Sequence, residues 1–222
     1  MSAPDIRGII FDMDGVIADT VEFHYQSWVR VAEEVGVTFT REKYRRMTGR
    51  TRDVNLAIFT EDLDIDQATK RSWQHRKNQY FLEHIANMQP GDELPGVLAL
   101  LDDLAAHGLP VGVGSSSRNA RPILQRLNLI HRFAALGDGA TVVNSKPAPD
   151  IFLWVAGGLG ISPKNILVLE DSQAGVTAAK SAGSYVIGLG DETLEGADAL
   201  LPSLEGIMLS DLLVQLAQAV IV

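Results

Sequence analysis

The chain has 222 residues, enough for a sizeable core, and its 46% hydrophobic content is typical of a globular protein. Its net charge of −9 argues against a nucleic-acid-binding surface, and the absence of cysteine excludes disulfides and thiolate zinc sites and fits a reducing compartment. No signal peptide is evident in residues 1–7, and the apolar run at residues 219–222 is too short to span a bilayer. We therefore expect a cytoplasmic protein with neither nucleic-acid nor membrane partners.

The first predicted element is a buried strand at residues 6–11, followed directly by the D-x-D-G segment at residues 12–15. We expect Asp12 and Asp14 at the carboxyl end of this strand, where parallel sheets form their ligand crevice, pointing the same way. One carboxylate can then act as a nucleophile and take up a phosphoryl group, the other can move protons, and Mg²⁺ would offset the negative charge. A bare D-x-D-G is more often a turn or a helix cap, so the rest of the chain must decide.

Apolar periodicity and breaker residues predict the remaining elements in chain order. Helices are predicted at residues 22–35, 41–47, 52–59 and 67–88, with no strand signal among them. After a break at residues 89–91, helices are predicted at residues 96–107, 119–127, 150–159, 172–182 and 209–217, and strands at residues 109–114, 134–136, 166–169 and 185–188. This alternation predicts an α/β fold with a doubly wound (Rossmann-like) parallel sheet. Its core is expected in residues 1–17 and 90–222, with an inserted helical cap domain at residues 18–89.

Three further polar clusters accompany these elements. Residues 115–119 (Ser-Ser-Ser-Arg-Asn) follow a strand and can cradle an anion, or simply cap a helix. Lys146 precedes a rigid proline pair, where a fixed ammonium can neutralise an aspartate and a phosphoryl oxygen, although most lysines are solvated. Glu170 and Asp171 end another strand, with a helix cap as the alternative. Since the ends of parallel strands share one crevice, their joint occurrence favours a single active site.

In this order, the motifs resemble the four signature motifs of the haloacid dehalogenase superfamily of phosphotransferases. The resemblance spans essentially the whole chain, and through residues 11–20, 145–152 and 169–175 it is most similar to the β-phosphoglucomutases. Thr48 departs from that pattern, which has a lysine there, and the segment at residues 76–78 matches it in two registers one residue apart. The resemblance implies a Mg²⁺ cofactor and the following site residues: for catalysis Asp12 (nucleophile), Asp14 (general acid/base), Ser115 and Lys146; for substrate binding Thr20, His24, Arg52, Arg76, Ser116, Arg118 and Asn119; and for the metal Asp12, Asp14 through its backbone carbonyl, Glu170 and Asp171.

The resemblance further implies a monomeric mutase that interconverts β-D-glucose 1-phosphate and glucose 6-phosphate through an aspartyl-phosphate and a hexose 1,6-bisphosphate. A phosphatase acting on small sugar phosphates is the nearest alternative, because Asp12 and Asp14 serve both reactions. A dehalogenase is disfavoured, since it does not need an acid/base at Asp14. A phospho-accepting signalling domain would not need a cap, and an inactive interaction protein would not fill every chemical position.

Overall fold

The computed structural model describes residues 4–190 and 193–219. Its strands are β1 (Gly8–Phe11), β2 (Val111–Gly114), β3 (Ala135–Gly137), β4 (Ile166–Glu170), β5 (Tyr185–Leu189) and β6 (Ala199–Leu201). They form one parallel sheet in the order β3-β2-β1-β4-β5-β6. Later strands are therefore added on both sides of β1, so that the strand order reverses there, and the predicted doubly wound α/β fold is confirmed. Such a reversal of strand order is where open α/β sheets bind their ligands.

Helices connect the strands. Those described are α1 (Val21–Val35), α2 (Arg41–Arg45), α3 (Arg52–Phe59), α4 (Gln67–Ile85), α5 (Val97–Ala106), α6 (Ala120–Arg126), α7 (Asp150–Leu159), α8 (Gln173–Ala182) and α9 (Leu209–Ala219), with short 3-10 turns at Ile130–Arg132 and Pro163–Asn165. Each predicted helix is present, with ends shifted by a few residues; the largest difference is α4, which ends at Ile85 rather than Met88. Strand β6 was not predicted from the sequence, although β3, which also has three residues, was.

The central strand β1 is apolar on both faces. Ile9 and Phe11 pack into one buried cluster and Ile10 into another, and all three side chains are inaccessible to solvent. A parallel sheet covered by helices on both sides needs such strands, which explains the uninterrupted apolar run in the sequence. Pairing of Phe11 with Val113 and with Leu169 keeps the carboxyl ends of β1, β2 and β4 level. The polar residues that follow these strands therefore meet at one edge of the sheet.

Helices α1–α4, called here the helical insertion, have an aromatic cluster of their own. The rings of Trp28 and Phe59 stack with their centroids 4.5 Å apart, and both side chains are buried. The two segments that join the insertion to the sheet pair with each other, through a bridge between Ala18 and Glu93. The domain division at residues 18–89 stays a prediction, although the separate aromatic cluster is consistent with it.

Residues 1–3 and 220–222 lie outside the described residues. They belong to the two terminal segments, residues 1–7 and 219–222, for which the sequence predicts no signal peptide and no membrane span. Within residues 4–190 and 193–219, no helix combines the length and the apolar character needed to cross a bilayer.

Candidate active site

The loop after β1 places Asp12 and Asp14 at the carboxyl edge of the sheet. The backbone N–H of Asp12 donates to the carbonyl of Leu169 at 2.9 Å, which holds the loop against β4. Gly15 then adopts a φ of 83°, and a Cβ at this position would lie 2.0 Å from Oδ2 of Asp171. Only glycine therefore allows both the turn and the close approach to Asp171. The sequence motif D-x-D-G thus brings a third carboxylate against the first two.

Lys146 bridges two of the carboxylates. Its Nζ donates to Oδ1 of Asp12 at 2.7 Å and to Oε2 of Glu170 at 2.8 Å, and its side chain is inaccessible to solvent. Burial alone would lower the pKa of Lys146, but the charges of Asp12 and Glu170 outweigh it and raise that pKa. The other oxygen of Glu170 accepts from the backbone N–H and the hydroxyl of Ser172, at 3.0 and 2.7 Å. Glu170 is therefore engaged through both oxygens, and the ammonium is charged and fixed.

The residues present at this edge fit a divalent cation. One oxygen each from Asp12, Glu170 and Asp171 lie within 4.8 Å of one another. Burial and the charge of Glu170 raise the pKa of Asp12 to about 8, and the same two causes raise the pKa of Asp171 well above its ordinary value. Three crowded carboxylates thus face one ammonium, a surplus of negative charge that a hard cation with oxygen ligands would relieve.

Asp14 lies in a contrasting environment provided by the helical insertion. The hydroxyl of Thr20 donates to its Oδ1, and Nε2 of His24 lies 3.6 Å from the same oxygen. On the far side of the imidazole, Nζ of Lys77 lies 2.5 Å from Nδ1. Burial would raise the pKa of Asp14, but His24, Thr20 and the charge of Lys77 outweigh it and lower that pKa.

The same contacts shift the pKa values of the two basic groups, His24 and Lys77. Burial and the charge of Lys77 lower the pKa of His24. Burial also lowers the pKa of Lys77 to about 7, with Arg52 adding to the effect and Asp14 opposing it. Where Lys77 is protonated, its ammonium can only donate, so Nδ1 of His24 is the acceptor and Nε2–H is directed toward Asp14. Asp14, His24 and Lys77 therefore form a chain that reaches from the catalytic edge into α4.

On α4, the residues that line the cavity differ from the Arg76 that the resemblance implies. Arg76 does not line the cavity; its guanidinium pairs with Glu34 at 2.9 Å on the outer side of the insertion. Successive residues of a helix point about 100° apart, so Lys77 and Asn78 face the cavity instead. Lys77 was not singled out from the sequence. A signal existed, because Lys77, Phe81 and Ile85 follow one another at four-residue spacing on the buried face of α4.

The loop after β2 forms the opposite wall. Ser115 is fully buried, and its hydroxyl oxygen accepts from the backbone N–H of Ser117 at 3.0 Å, which leaves its own O–H as a donor. Ser116, Arg118 and Asn119 line the cavity directly. The predicted anion cradle therefore has side-chain hydroxyl, amide and guanidinium donors on the cavity side.

Three contacts cross from this loop to the helical insertion. The hydroxyl of Ser116 donates to the carbonyl of Gly49 at 2.7 Å. Asn119 Nδ2 donates to Oδ1 of Asn78 at 3.1 Å, and the same oxygen accepts from Arg52 at 2.7 Å. A guanidinium nitrogen of Arg118 lies 3.3 Å from a carboxylate oxygen of Asp53, also in the insertion. The insertion is thus closed over the carboxyl ends of the strands.

Most of the predicted site residues meet at one cavity, either in its wall or directly behind it. Thr20, Ser115, Lys146 and Glu170 lie behind the wall, next to residues that line it. Thr48 and Arg50 also line the cavity. The predicted residues in the wall itself are Asp12, Asp14, His24, Arg52, Ser116, Arg118, Asn119 and Asp171.

Comparisons with known proteins agree with this geometry. The model of the family described as haloacid dehalogenase-like hydrolase matches residues 9–189. The chain is 39% identical to the β-phosphoglucomutase of Bacillus subtilis over 88% of its own length and 89% of that protein, and 34% identical to a phosphorylated carbohydrates phosphatase of Thermotoga maritima over 80% and 82%. A crystal structure of β-phosphoglucomutase from Clostridium difficile superposes with a TM-score of 0.91 at 30% identity, covering 98% of this chain and 100% of that one. By sequence and by fold alike, the chain belongs to the haloacid dehalogenase-like hydrolase family.

Proposed function

We propose that this enzyme interconverts β-D-glucose 1-phosphate and glucose 6-phosphate through a phosphorylated Asp12 and a hexose 1,6-bisphosphate. The observation that carries the proposal is the position of Asp12, which is buried, held by Lys146 through one oxygen, and exposed to the cavity beside Asp14. A carboxylate nucleophile with a proton-transfer partner two residues away suits phosphoryl transfer. The likeness to the β-phosphoglucomutases, rather than any contact in the cavity, indicates the glucose phosphates.

In the proposed cycle, the phosphorylated Asp12 donates its phosphoryl group to the hydroxyl at C6 of glucose 1-phosphate. The bond between phosphorus and the Asp12 oxygen breaks as the bond to the sugar oxygen forms, and Asp14 takes the hydroxyl proton. The bisphosphate then presents its other phosphoryl group to Asp12, and Asp14 returns the proton to the leaving oxygen at C1. Ser115 and Lys146 hold the transferring group through a hydroxyl and an ammonium donor.

The lowered pKa of Asp14 suits the first of these steps. An ionised Asp14 can accept the proton of a sugar hydroxyl, and Nε2–H of His24 stabilises the charge. Once protonated, the same group can act as the acid in the second transfer. Because His24 and Lys77 belong to the helical insertion, Asp14 has this environment only while the insertion is closed.

A magnesium ion fits the acidic edge of the sheet. We propose that Asp12 and Asp171 hold it through their carboxylates, with the carbonyl of Asp14 as a further ligand and Glu170 acting from behind through Lys146 and Ser172. When bound, Mg²⁺ would neutralise charge on the phosphoryl oxygens, so that an anion can attack an anion. It would also keep Asp12 ionised at neutral pH.

The distal phosphate of the substrate would meet the loop wall of the cavity. Arg52, Arg118 and Asn119 supply donors there, and the contacts of Ser116 with Gly49 and of Asn119 with Asn78 close the wall. A closed cavity excludes water from the acyl-phosphate, which favours transfer to a sugar hydroxyl over hydrolysis.

The direct test is incubation with β-D-glucose 1-phosphate, Mg²⁺ and a trace of glucose 1,6-bisphosphate. We expect glucose 6-phosphate as the main product, detected by coupled reduction of a nicotinamide dinucleotide, with little release of inorganic phosphate. Omission of the bisphosphate should introduce a lag, because unphosphorylated Asp12 cannot start the cycle. Phosphate release without isomerisation would contradict the mutase assignment.

A sugar-phosphate phosphatase is the second candidate. It is favoured by the likeness to the Thermotoga maritima phosphatase, and by the fact that Asp12 and Asp14 would serve hydrolysis equally well. The same incubation separates the two, because a phosphatase would release one inorganic phosphate for each sugar consumed.

A further inference from the structure

A second cavity adjoins the acidic edge of the sheet. This outer cavity lies beyond the carboxyl ends of β5 and β6, and its walls include Gly15, Leu94, Asp171, Leu189 and Ser203. Asp171 lines the active-site cavity as well, so it lies between the two cavities. A Cβ at Gly15 would lie 2.0 Å from Oδ2 of Asp171, so the lack of a side chain at Gly15 leaves room beside this oxygen.

The two cavities differ in charge. The wall of the active-site cavity carries three guanidinium groups beside its carboxylates, from Arg50, Arg52 and Arg118. Of the described residues that line the outer cavity, Asp171 is the only charged one. Guanidinium groups attract a phosphate ester and repel a divalent cation, whereas a lone carboxylate attracts the cation. The charges therefore favour anions in one cavity and cations in the other.

The outer cavity is open to solvent while the helical insertion is closed. No residue of α1–α4 is among the described residues that line it, and Gly190 and Ser203 at its entrance are exposed. Backbone hydrogen bonds hold its walls: Gly190 donates to the carbonyl of Leu201 at 3.0 Å, and Leu94 donates to that of Ile17 at 2.9 Å. Access through the outer cavity therefore does not require the insertion to open.

The size of the outer cavity suits a hydrated ion. Its volume is about 280 Å³. Magnesium is six-coordinate and gives up its water reluctantly, and six waters occupy about 180 Å³ of liquid, at about 30 Å³ each. An ion that still carries its water can therefore reach Asp171 from this side.

We propose that the outer cavity is the route by which the divalent cation enters and leaves the acidic edge, with Ser203 at the entrance and Asp171 as the first carboxylate that the ion meets. The phosphate ester uses the other cavity, so the metal exchanges without opening of the insertion. The inference rests on the magnesium site of the proposed function, and it does not depend on the identity of the sugar.

The test measures exchange of Mn²⁺, which takes the same kind of oxygen ligands as Mg²⁺, in the parent and in Ser203→Phe. Stopped-flow mixing of the Mn²⁺-loaded protein with a fluorescent chelator gives the dissociation rate constant. Titration followed by electron paramagnetic resonance gives the Kd, and the two values together give the association rate constant. A narrower route hinders entry and exit equally. Both rate constants should therefore fall by about tenfold, the effect of a barrier raised by about 1.4 kcal/mol, with the Kd unchanged.

Three further variants complete the test. Ser203→Lys adds charge rather than bulk at the entrance, in case the aromatic ring of the first variant turns into solvent. It should slow association by about tenfold at low salt, and by less at 1 M salt, where charges are screened beyond about 3 Å. Thr48→Phe makes the matched change in the wall of the active-site cavity, so it should raise KM for the sugar phosphate and leave both Mn²⁺ rate constants unchanged. Ser181→Phe, at an exposed position near the far end of α8, should retain the parental rate constants.

Parental rate constants in both Ser203 variants, or slower exchange in Thr48→Phe alone, would overturn the inference and leave the metal site intact. A raised Kd in Ser203→Phe would indicate damage to the metal site rather than a narrower route, and it would also count against the inference. A parent that binds no Mn²⁺ would overturn the proposed magnesium site, and this inference with it. The mutase assay tests the choice of sugar independently of all these outcomes.

Discussion

Asp12 and Asp14 stand two residues apart on one loop, yet their surroundings shift their pKa values in opposite directions. Around Asp12, burial and Glu170 raise the pKa to about 8, because Lys146 is a single cation among several carboxylates. Around Asp14, hydrogen bonds and positive charge from the helical insertion lower it despite burial. Environments that separate two carboxylates in this way assign different roles to them.

The difference also separates the two regions of the molecule. The sheet edge concentrates negative charge around Asp12 and fits a cation, so it suits the nucleophile and the metal. The insertion brings positive charge and donors to Asp14, through His24 and Lys77. On the proposed function, proton transfer by Asp14 would depend on the position of the insertion, whereas the acidic edge belongs to the sheet alone.

The largest effect is expected for Asp12→Asn. The amide is a poor nucleophile, so turnover should fall by about 10⁴-fold or more, as for other single knockouts of a nucleophile. Radiolabelled acetyl phosphate should label the parent enzyme but not the variant. Asp102→Asn, on the exposed side of α5, is the control. A variant that kept a substantial rate would show that another residue accepts the phosphoryl group.

Asp14→Asn should reduce turnover less, by about 10²- to 10⁴-fold, because it removes only general acid–base catalysis. Acetyl phosphate should still label Asp12 in this variant, since the acetate leaving group needs no proton. Loss of labelling in both variants would contradict the separation of roles between the two aspartates.

Asp171→Asn should change metal-dependent stability. In the metal-free protein, Asp171→Asn should raise the free energy of unfolding, because burial and the charge of Glu170 disfavour the ionised form of Asp171. Mg²⁺ at a hundred times its Kd should stabilise the parent by about 2.7 kcal/mol and leave the variant unaffected. Urea unfolding with and without Mg²⁺ measures both effects. Equal stabilisation of the two proteins would place the ion elsewhere.

Lys77→Met tests the insertion side through pH. The folded pKa of Lys77, about 7, lies below its ordinary value of 10.5, so between these pH values the unfolded chain binds more protons and stability rises with pH. The variant lacks this contribution. Relative to the parent it should therefore be most stable at pH 7 and below, and the difference should shrink toward pH 10.5.

The groups that act on Lys77 are Asp14, His24 and Arg52, and unfolding curves at several pH values report their combined effect. Lys164→Met, at an exposed position, is the matched control. A stability difference that does not vary with pH would show that Lys77 is charged in the folded protein throughout the range.

The smallest effect is expected for Arg76→Ala. Its ion pair with Glu34 lies on the outer side of the insertion, and such exposed pairs contribute about 0–1 kcal/mol. Activity should stay within about two-fold of the parent, which is a negligible change on a scale where 1.4 kcal/mol is tenfold. A large loss in kcat/KM would return Arg76 to the substrate site.

Strand ends and their polar residues could be predicted because the signal is local. An apolar run followed by charged or hydroxyl residues marks each strand of the crevice, as at Asp12, Ser115 and Glu170, and parallel pairing brings the ends together. Strand β6 gave no such signal. The register of α4 was missed for a different reason: Arg76 and Lys77 are adjacent basic residues, and only their helix phase tells them apart.

The sequence by itself determined the fold class and the set of reactive groups at the sheet edge, because both follow from apolar periodicity and from the order of motifs along the chain. Only the tertiary structure decided which face of α4 enters the cavity, that Lys77 adjoins His24, and that no group within residues 4–190 and 193–219 donates to Oδ1 of Asn55. These features depend on contacts between residues such as His24 and Lys77, which lie far apart in the chain. Local sequence patterns do not encode the distances or the burial that shift a pKa or isolate an acceptor.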